Sequence, residues 1–255
     1  MMSAVFAGAA SAANPEYGRC IKEGAKELSK YEGKCLKLAS EAPGSEAEKL
    51  KKGNYVWHAG VPAKPGFTAA LEPTTISALE TKVGTKVTCT GFGAAGQYTG
   101  LKTVSVQQQE FKGCESGGIK CNTPGAGVGV IETPELEGEL GVITSVVPHT
   151  KDKIGNVLWP AGGTATSGSE FAEFACGGLS VKAKNSIIAP VTANAMKLIT
   201  KVKYTSVKGV QKPMKFEGGP NMFLEGKVGA GPTEPFGVAA RTIQTNEEAV
   251  EIRSL

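Results

Sequence analysis

From about residue 67 onward the chain is dominated by two-residue alternation of apolar and polar positions. Leu179-Ser180-Val181-Lys182-Ala183-Lys184 puts Leu179, Val181 and Ala183 on one side of an extended strand and Ser180, Lys182 and Lys184 on the other. Lys201-Val202-Lys203-Tyr204 repeats that pattern, and Thr85-Lys86-Val87-Thr88-Cys89-Thr90 alternates in the same way. Further strands are predicted from Thr103 to near Phe111, over Gly129–Glu132, over Leu140–Ile143 and from Val238 to Ile243. Val250–Ile252 is expected to pair back after a glutamate-rich turn. Glycine- and proline-bearing stretches separate these runs. The expected fold class is therefore all-β, a sandwich or barrel-like domain of about eight to twelve strands over residues 61–255.

The N-terminal sixty residues have a different texture. Residues 1–13 read as the remnant of a signal peptide: a short apolar stretch and an Ala10-Ser11-Ala12 cleavage pattern precede polar Asn14-Pro15-Glu16, without a basic start. Residues 14–60 are rich in Lys and Glu and read as a small appendage stapled through Cys20 and Cys35. Ser45 and Glu48 stand at capping-box spacing and Gly53 follows Lys52, which predicts a short helix over Ser45–Lys52. A further helical turn is expected over Glu23–Ser29 and a strand at Tyr55-Val56-Trp57.

Composition sharpens this picture mainly by exclusion. The 34 glycines show no triplet repeat, which excludes collagen. A net charge of +4 without a Lys/Arg block argues against a nucleic-acid partner. After residue 13 no apolar run has the length of a transmembrane segment. Lys151/Lys153, Lys182/Lys184 and Lys201/Lys203 are spaced two apart, as on solvated strand faces; the functional alternative is a basic face that meets a polyanion. Six cysteines in an exported chain suggest three disulfides. Local spacing joins Cys20 to Cys35 and Cys114 to Cys121, across a turn-like Glu115–Lys120, and leaves Cys89 for Cys176. The absence of a CxxC pair argues against a metal site.

Candidate chemistry is sparse. Gly91-Phe92-Gly93-Ala94-Ala95-Gly96 matches GxGxxG but is not followed by the helix that holds a pyrophosphate, so it reads as a hairpin loop and no cofactor is expected. Gly125, Gly127 and Gly129 read likewise as a loop. Asp152 is the single aspartate, which disfavours calcium loops and magnesium phosphotransfer sites. Glu132, Glu135, Glu137 and Glu139 cluster, and Glu137 and Glu139 share one side of a strand. Such a pair can hydrolyse a glycoside; otherwise it is a charged strand edge. His58 and His149 lack a nucleophile-elbow partner. Trp57, Trp159, Tyr17, Tyr55 and Tyr98 could form a sugar-stacking face or pack in a core. No residue is assigned a catalytic, cofactor-binding or metal role.

Pro15-Glu16-Tyr17-Gly18-Arg19-Cys20, Phe111-Lys112-Gly113-Cys114-Glu115, Leu136-Glu137-Gly138-Glu139-Leu140-Gly141, Lys215-Phe216-Glu217-Gly218-Gly219-Pro220 and Thr245-Asn246-Glu247-Glu248 resemble the uncharacterised exported proteins found in many copies in soil actinobacteria. The resemblance runs over nearly the whole chain after residue 14. It implies export and a β-rich fold and implies no chemistry. The expected function is that of a secreted or cell-envelope binding or structural module, with a cell-wall polymer, a glycan or a protein as partner. A glycoside-active enzyme using the glutamate pair and a self-assembling surface subunit are the alternatives.

Overall fold

The structure, a computed structural model, describes residues 15–23, 31–32, 37–38, 53–60, 65–146, 152–192 and 197–253. Among these residues every regular element is a strand. The chain runs through β1 (Glu16–Lys22), the short β2 (Tyr31–Glu32) and β3 (Lys37–Leu38), and β4 (Tyr55–Ala59). It continues with β5 (Gly66–Leu71), β6 (Ser77–Thr81), β7 (Lys86–Cys89), β8 (Gly91–Tyr98) and β9 (Thr103–Lys112). Next come β10 (Glu115–Ser116), β11 (Ile119–Asn122), β12 (Val130–Glu132), β13 (Leu136–Thr144) and β14 (Lys153–Pro160). The last third holds β15 (Glu170–Cys176), β16 (Leu179–Lys184), β17 (Ile187–Val191), β18 (Lys197–Val207), β19 (Val210–Lys212), β20 (Glu225–Val228) and β21 (Thr233–Arg253).

Two rings of antiparallel strands share β21. The smaller is closed by eight hydrogen-bonded ladders, in the order β6, β7, β10, β11, β15, β16, β20, β21 and back to β6. The larger runs β5, β8, β9, β13, β14, β17, β18, β21 and back to β5; seven of its joints are ladders, and β17 packs beside β18 at the eighth. Register shifts between Ala95 and Gly96 and between Val142 and Thr144 put bends where the larger wall must curve. At 21 residues β21 outlasts any one neighbour. It pairs with β20, then β6, then β5 and β18, and finally β1.

The alternation read from the sequence sets which residues turn inward. Val181 and Ala183 of β16 and Phe236 and Val238 of β21 are buried in the smaller ring with Leu79, Val87 and Phe174. Phe67, Val104, Val106, Leu136, Leu158, Val202 and Tyr204 fill the larger one. A satellite cluster of Ile143, Val157, Ile188 and Phe216 lies on the outer wall of β13, β14 and β17. β1 pairs with both β4 and the end of β21, and sends Tyr17, fully buried, into the mouth of the larger ring.

Several sequence expectations are corrected here. The all-β expectation holds, with 21 strands among the described residues where about eight to twelve are expected, and with β13, β18 and β21 longer than the runs that predicted them. The helix expected over residues 45–52 lies outside the described residues, as do residues 24–29 of the second helical turn, and no described residue is helical. Residues 1–14, the signal-like segment among them, also lie outside. The GxGxxG run is not a loop: it makes up most of β8, since Gly93 leaves open space and a Cβ on Gly96 would meet the Phe67 ring at 2.5 Å. No turn precedes Val250; β21 continues through Thr245–Glu248, with Thr245 paired to both β18 and β5, Asn246 to β5, and a register shift against β18 before Val250. Leu179 departs from its strand face by standing exposed at the β15–β16 turn.

The disulfides join Cys89 to Cys114 and Cys121 to Cys176, not Cys114 to Cys121 and Cys89 to Cys176. Cys114 and Cys121 do face each other across the β10–β11 hairpin, but Cys121 N–H donates to the Cys114 carbonyl. Opposed residues at such a hydrogen-bonded position stand further apart than those at the alternate sites. Each sulfur bonds instead to a neighbour whose Cα lies only 4.0 or 4.1 Å away. Cys20 is disulfide-bonded and Cys35 lies outside the described residues.

Candidate functional site

The lumen of the larger ring is the first place to look, because eight-stranded barrels can hold one small ligand. Its cavity has a volume of about 40 Å³, and Gln109, Asn156, Thr242 and Gln244 are among its lining residues. That is room for about two or three water molecules. A second space of about 20 Å³ lies next to Tyr17. The polar groups here are engaged with one another. Gln244 Nε2 donates to Tyr98 Oη and to Asn246 Oδ1, at 2.9 Å each. Tyr98 Oη donates to Asn246 Oδ1 at 3.0 Å, and Asn246 Nδ2 to the Lys197 carbonyl at 3.1 Å. Tyr17 Oη donates to Asn156 Oδ1.

Three tyrosines share this interior. Burial, and then the nearby Tyr98, hold the Tyr17 phenol well above its usual range; burial raises Tyr98 against its bond from Gln244. Tyr204 is pushed up to about 12 by burial, with a bond to Gln109 working the other way. A folded pKa above the unfolded value of about 10 gives stability that is fully present below pH ~10 and lost as pH climbs through the folded pKa. The urea midpoint is thus expected to be insensitive to these phenols near pH 8–9 and to fall from pH ~10 upward, before these three tyrosines ionise in the folded protein. Phenolate absorbance appearing near pH ~10 in a folded protein whose half-buried Tyr31 and Tyr55 are both replaced by Phe would contradict this.

The glutamate cluster does not form a site in that interior. Glu137 and Glu139 do share one side of β13, but the outer one, where both are exposed. Across β14 they face Trp159 and Val157. Glu132 lies opposite Glu110 of β9, and Glu110 is paired with Lys112 at 2.7 Å. Glu137→Gln and Glu139→Gln are expected to shift stability by less than about 0.5 kcal/mol, as measured by urea unfolding, since neither makes a buried contact. His58 on β4 lies 3.4 Å from Glu23, and His149 lies outside the described residues. The five aromatic candidates do not share a face. Tyr17 and Tyr98 stack edge to face in the core at 4.7 Å, Trp57 sits on β4, and Trp159 packs on the outer wall of β14.

Larger concavities lie outside the rings. One, of about 460 Å³, runs beside β1 along Arg19, Lys22, Tyr55 and Glu248, and Arg19 there is engaged by Glu248 at 3.4 Å. The other, of about 420 Å³, crosses the outer face of β6, β21 and β18. Ala78, Ala239 and Ala240 contribute short side chains to it, and Thr75, Ile76, Thr205 and Ser206 line its sides. Lys86, Lys203 and Arg241 also line it, all exposed. Lys203 and Arg241 are directly opposed on β18 and β21. Neither they nor Lys86 have an ion pair with a described acid. The nearest acids are already engaged: Glu72 bonds Lys201, and that bond is the main reason its carboxyl lies below the ordinary range, with Arg241 adding a smaller pull. Glu80 accepts from Ser206 Oγ at 2.6 Å and from Gly209 N–H at 3.1 Å.

Sequence reading noted Lys201 and Lys203 as a two-apart pair but missed Lys86 and Arg241, since nothing local brings three separate strands to one groove. By contrast, Lys182 on β16 is ion-paired with Glu173 and Glu170. No protein-family model, curated protein or solved structure matches the chain.

Proposed function

We propose that the chain is an exported binding module of the cell envelope, a rigid β scaffold that works through its outer surface. The observation that carries this reading is the contrast in room. The lumen holds about 40 Å³, whereas the outer grooves hold about 420 and 460 Å³. An organic ligand of ordinary size needs some 300 Å³ or more. The Cys89–Cys114 and Cys121–Cys176 disulfides favour an oxidising compartment, where such bonds persist. The resemblance to exported actinobacterial proteins points the same way. A scaffold held by ladders and staples keeps surface groups at fixed spacing, which suits recognition.

The test is fractionation of the native host with detection on a non-reducing gel. Oxidised protein retained on the washed envelope is the expected result. Recovery as a reduced cytoplasmic protein would overturn the export reading. Recovery wholly in the medium as an oxidised monomer would remove the envelope from it.

A further inference from the structure

We infer that the groove over β6, β21 and β18 binds a phosphate-bearing acidic polymer, with Arg241 and Lys203 as the paired anchors and Lys86 as a third contact across the alanine floor. This rests on the binding-module reading and names its ligand class.

Three observations carry it. Lys203 and Arg241 occupy directly opposed positions on neighbouring strands. Like charges so placed repel and cost stability; neither is ion-paired with a described acid, and Glu72, the carboxylate that feels Arg241, is bonded to Lys201. Such an arrangement is relieved when an anion sits between the two. Next, Glu72 is offset by Lys201, and Glu80, whose donors Ser206 and Gly209 are neutral and which stands opposite Lys86, offsets only one of the three cations, so the groove keeps a net positive charge. Last, Ala78 and Ala239 make the groove shallow-sided and open, a trough for an extended strand rather than a pocket for a compact molecule. Phosphate fits the anchor pair best: guanidinium presents a planar fork to two phosphate oxygens, and the neighbouring ammonium acts as a point charge. Multiple anions along one chain can meet Arg241, Lys203 and Lys86 together.

The probe is short-chain linear polyphosphate, titrated by calorimetry into the full chain at several salt concentrations. Polygalacturonate and a neutral glucan serve as comparisons. Binding to polyphosphate is expected, weaker binding to polygalacturonate, and none to the glucan. Lys203→Glu combined with Arg241→Glu should weaken polyphosphate by about tenfold or more and lower the slope of log K against log salt by about 1.4, the loss of two single-strand phosphate contacts. Ala239→Leu, which fills the floor without changing charge, should also weaken it. Lys184→Glu with Lys227→Glu, equal in charge but on the outer face of β16 and β20, should leave the slope unchanged. Equal losses in both double variants would show a diffuse charge effect and overturn the site. So would an absence of polyphosphate binding. Polygalacturonate binding as tightly as polyphosphate would overturn the phosphate assignment. If the Lys203→Glu/Arg241→Glu protein fails to bind polyphosphate yet stays on the washed envelope, the polymer groove is not what holds it there; the groove's envelope role falls and the binding-module reading stands.

Discussion

Replacing Cys121 and Cys176 together by serine is expected to cost about 4 kcal/mol, the chain-entropy value for a sequence separation of 55 residues. The Cys89→Ser/Cys114→Ser pair, with a separation of 25 residues, should cost about 3.5 kcal/mol. The two loops are consecutive and do not overlap, so the losses should add to about 7.5 kcal/mol, a large part of the 5–15 kcal/mol that holds a typical domain together. The topology shows why these positions matter beyond loop closure. In the smaller ring β10 and β11 share two pairs; the ladder is equally short where β11 meets β15, through two pairs, and shorter where β7 meets β10, through the single pair Glu115 and Thr88. The disulfides sit at those two joints, so their loss opens the ring as well as lengthening the unfolded loops. Urea unfolding of oxidised wild type and both double variants measures the costs. Digestion without reduction should yield peptides linked Cys89–Cys114 and Cys121–Cys176. A Cys114–Cys121 peptide, or variants as stable as wild type, would refute the arrangement.

That pairing also shows where sequence reading stops. Spacing correctly marked Cys114 and Cys121 as flanking a hairpin, which β10 and β11 form. It could not show that the hairpin places them at a hydrogen-bonded position, or that β7 and β15 come alongside. Alternation located β16 to the residue because one of its faces is buried and the other wet. It missed β8, where Gly91, Gly93 and Gly96 read as punctuation. In a tightly curved wall Gly96 is structural: any Cβ there would strike both Phe67 and the Ser105 carbonyl, at 2.5 Å each. Gly138 of β13 is similar, with Leu158 and Val104 within 2.5 and 2.8 Å of where a Cβ would lie. The glutamates at 247 and 248 suggested a turn because a charged stretch usually lies in solvent. Here the strand continues, with Asn246 turned into the interior network between them and the buried Thr242. The groove was illegible for a different reason. Its cations come from β7, β18 and β21, and its floor from alanines, which carry no signal of their own.

Tyr17→Ala should cost about 4 kcal/mol, in the range of large aromatic truncations in cores. Tyr17 lies early in the chain, among charged residues, and nothing in its neighbours marks it as core. The structure gives it no exposed surface, an edge-to-face contact with Tyr98 and a bond to Asn156 across the larger ring. Its backbone is fixed too: its N–H donates to the Leu101 carbonyl at 2.8 Å and its own carbonyl accepts from Gly60 N–H at 2.7 Å. Tyr17→Phe keeps the ring and loses only the hydroxyl's bond, so it should cost about 1–2 kcal/mol. The difference between the two variants separates packing from hydrogen bonding. Removing the ring would also enlarge the small space beside it into a cavity that can take the lost side chain. p-Cresol, which is that side chain as a free molecule, should then raise the unfolding midpoint of Tyr17→Ala with increasing concentration and leave wild type unmoved. A rescue of this kind requires that the phenol sits in the barrel mouth against Asn156. A Tyr17→Ala protein with wild-type stability would instead place β1 outside the fold's cooperative core, and the seal it forms over the larger ring would have to be abandoned.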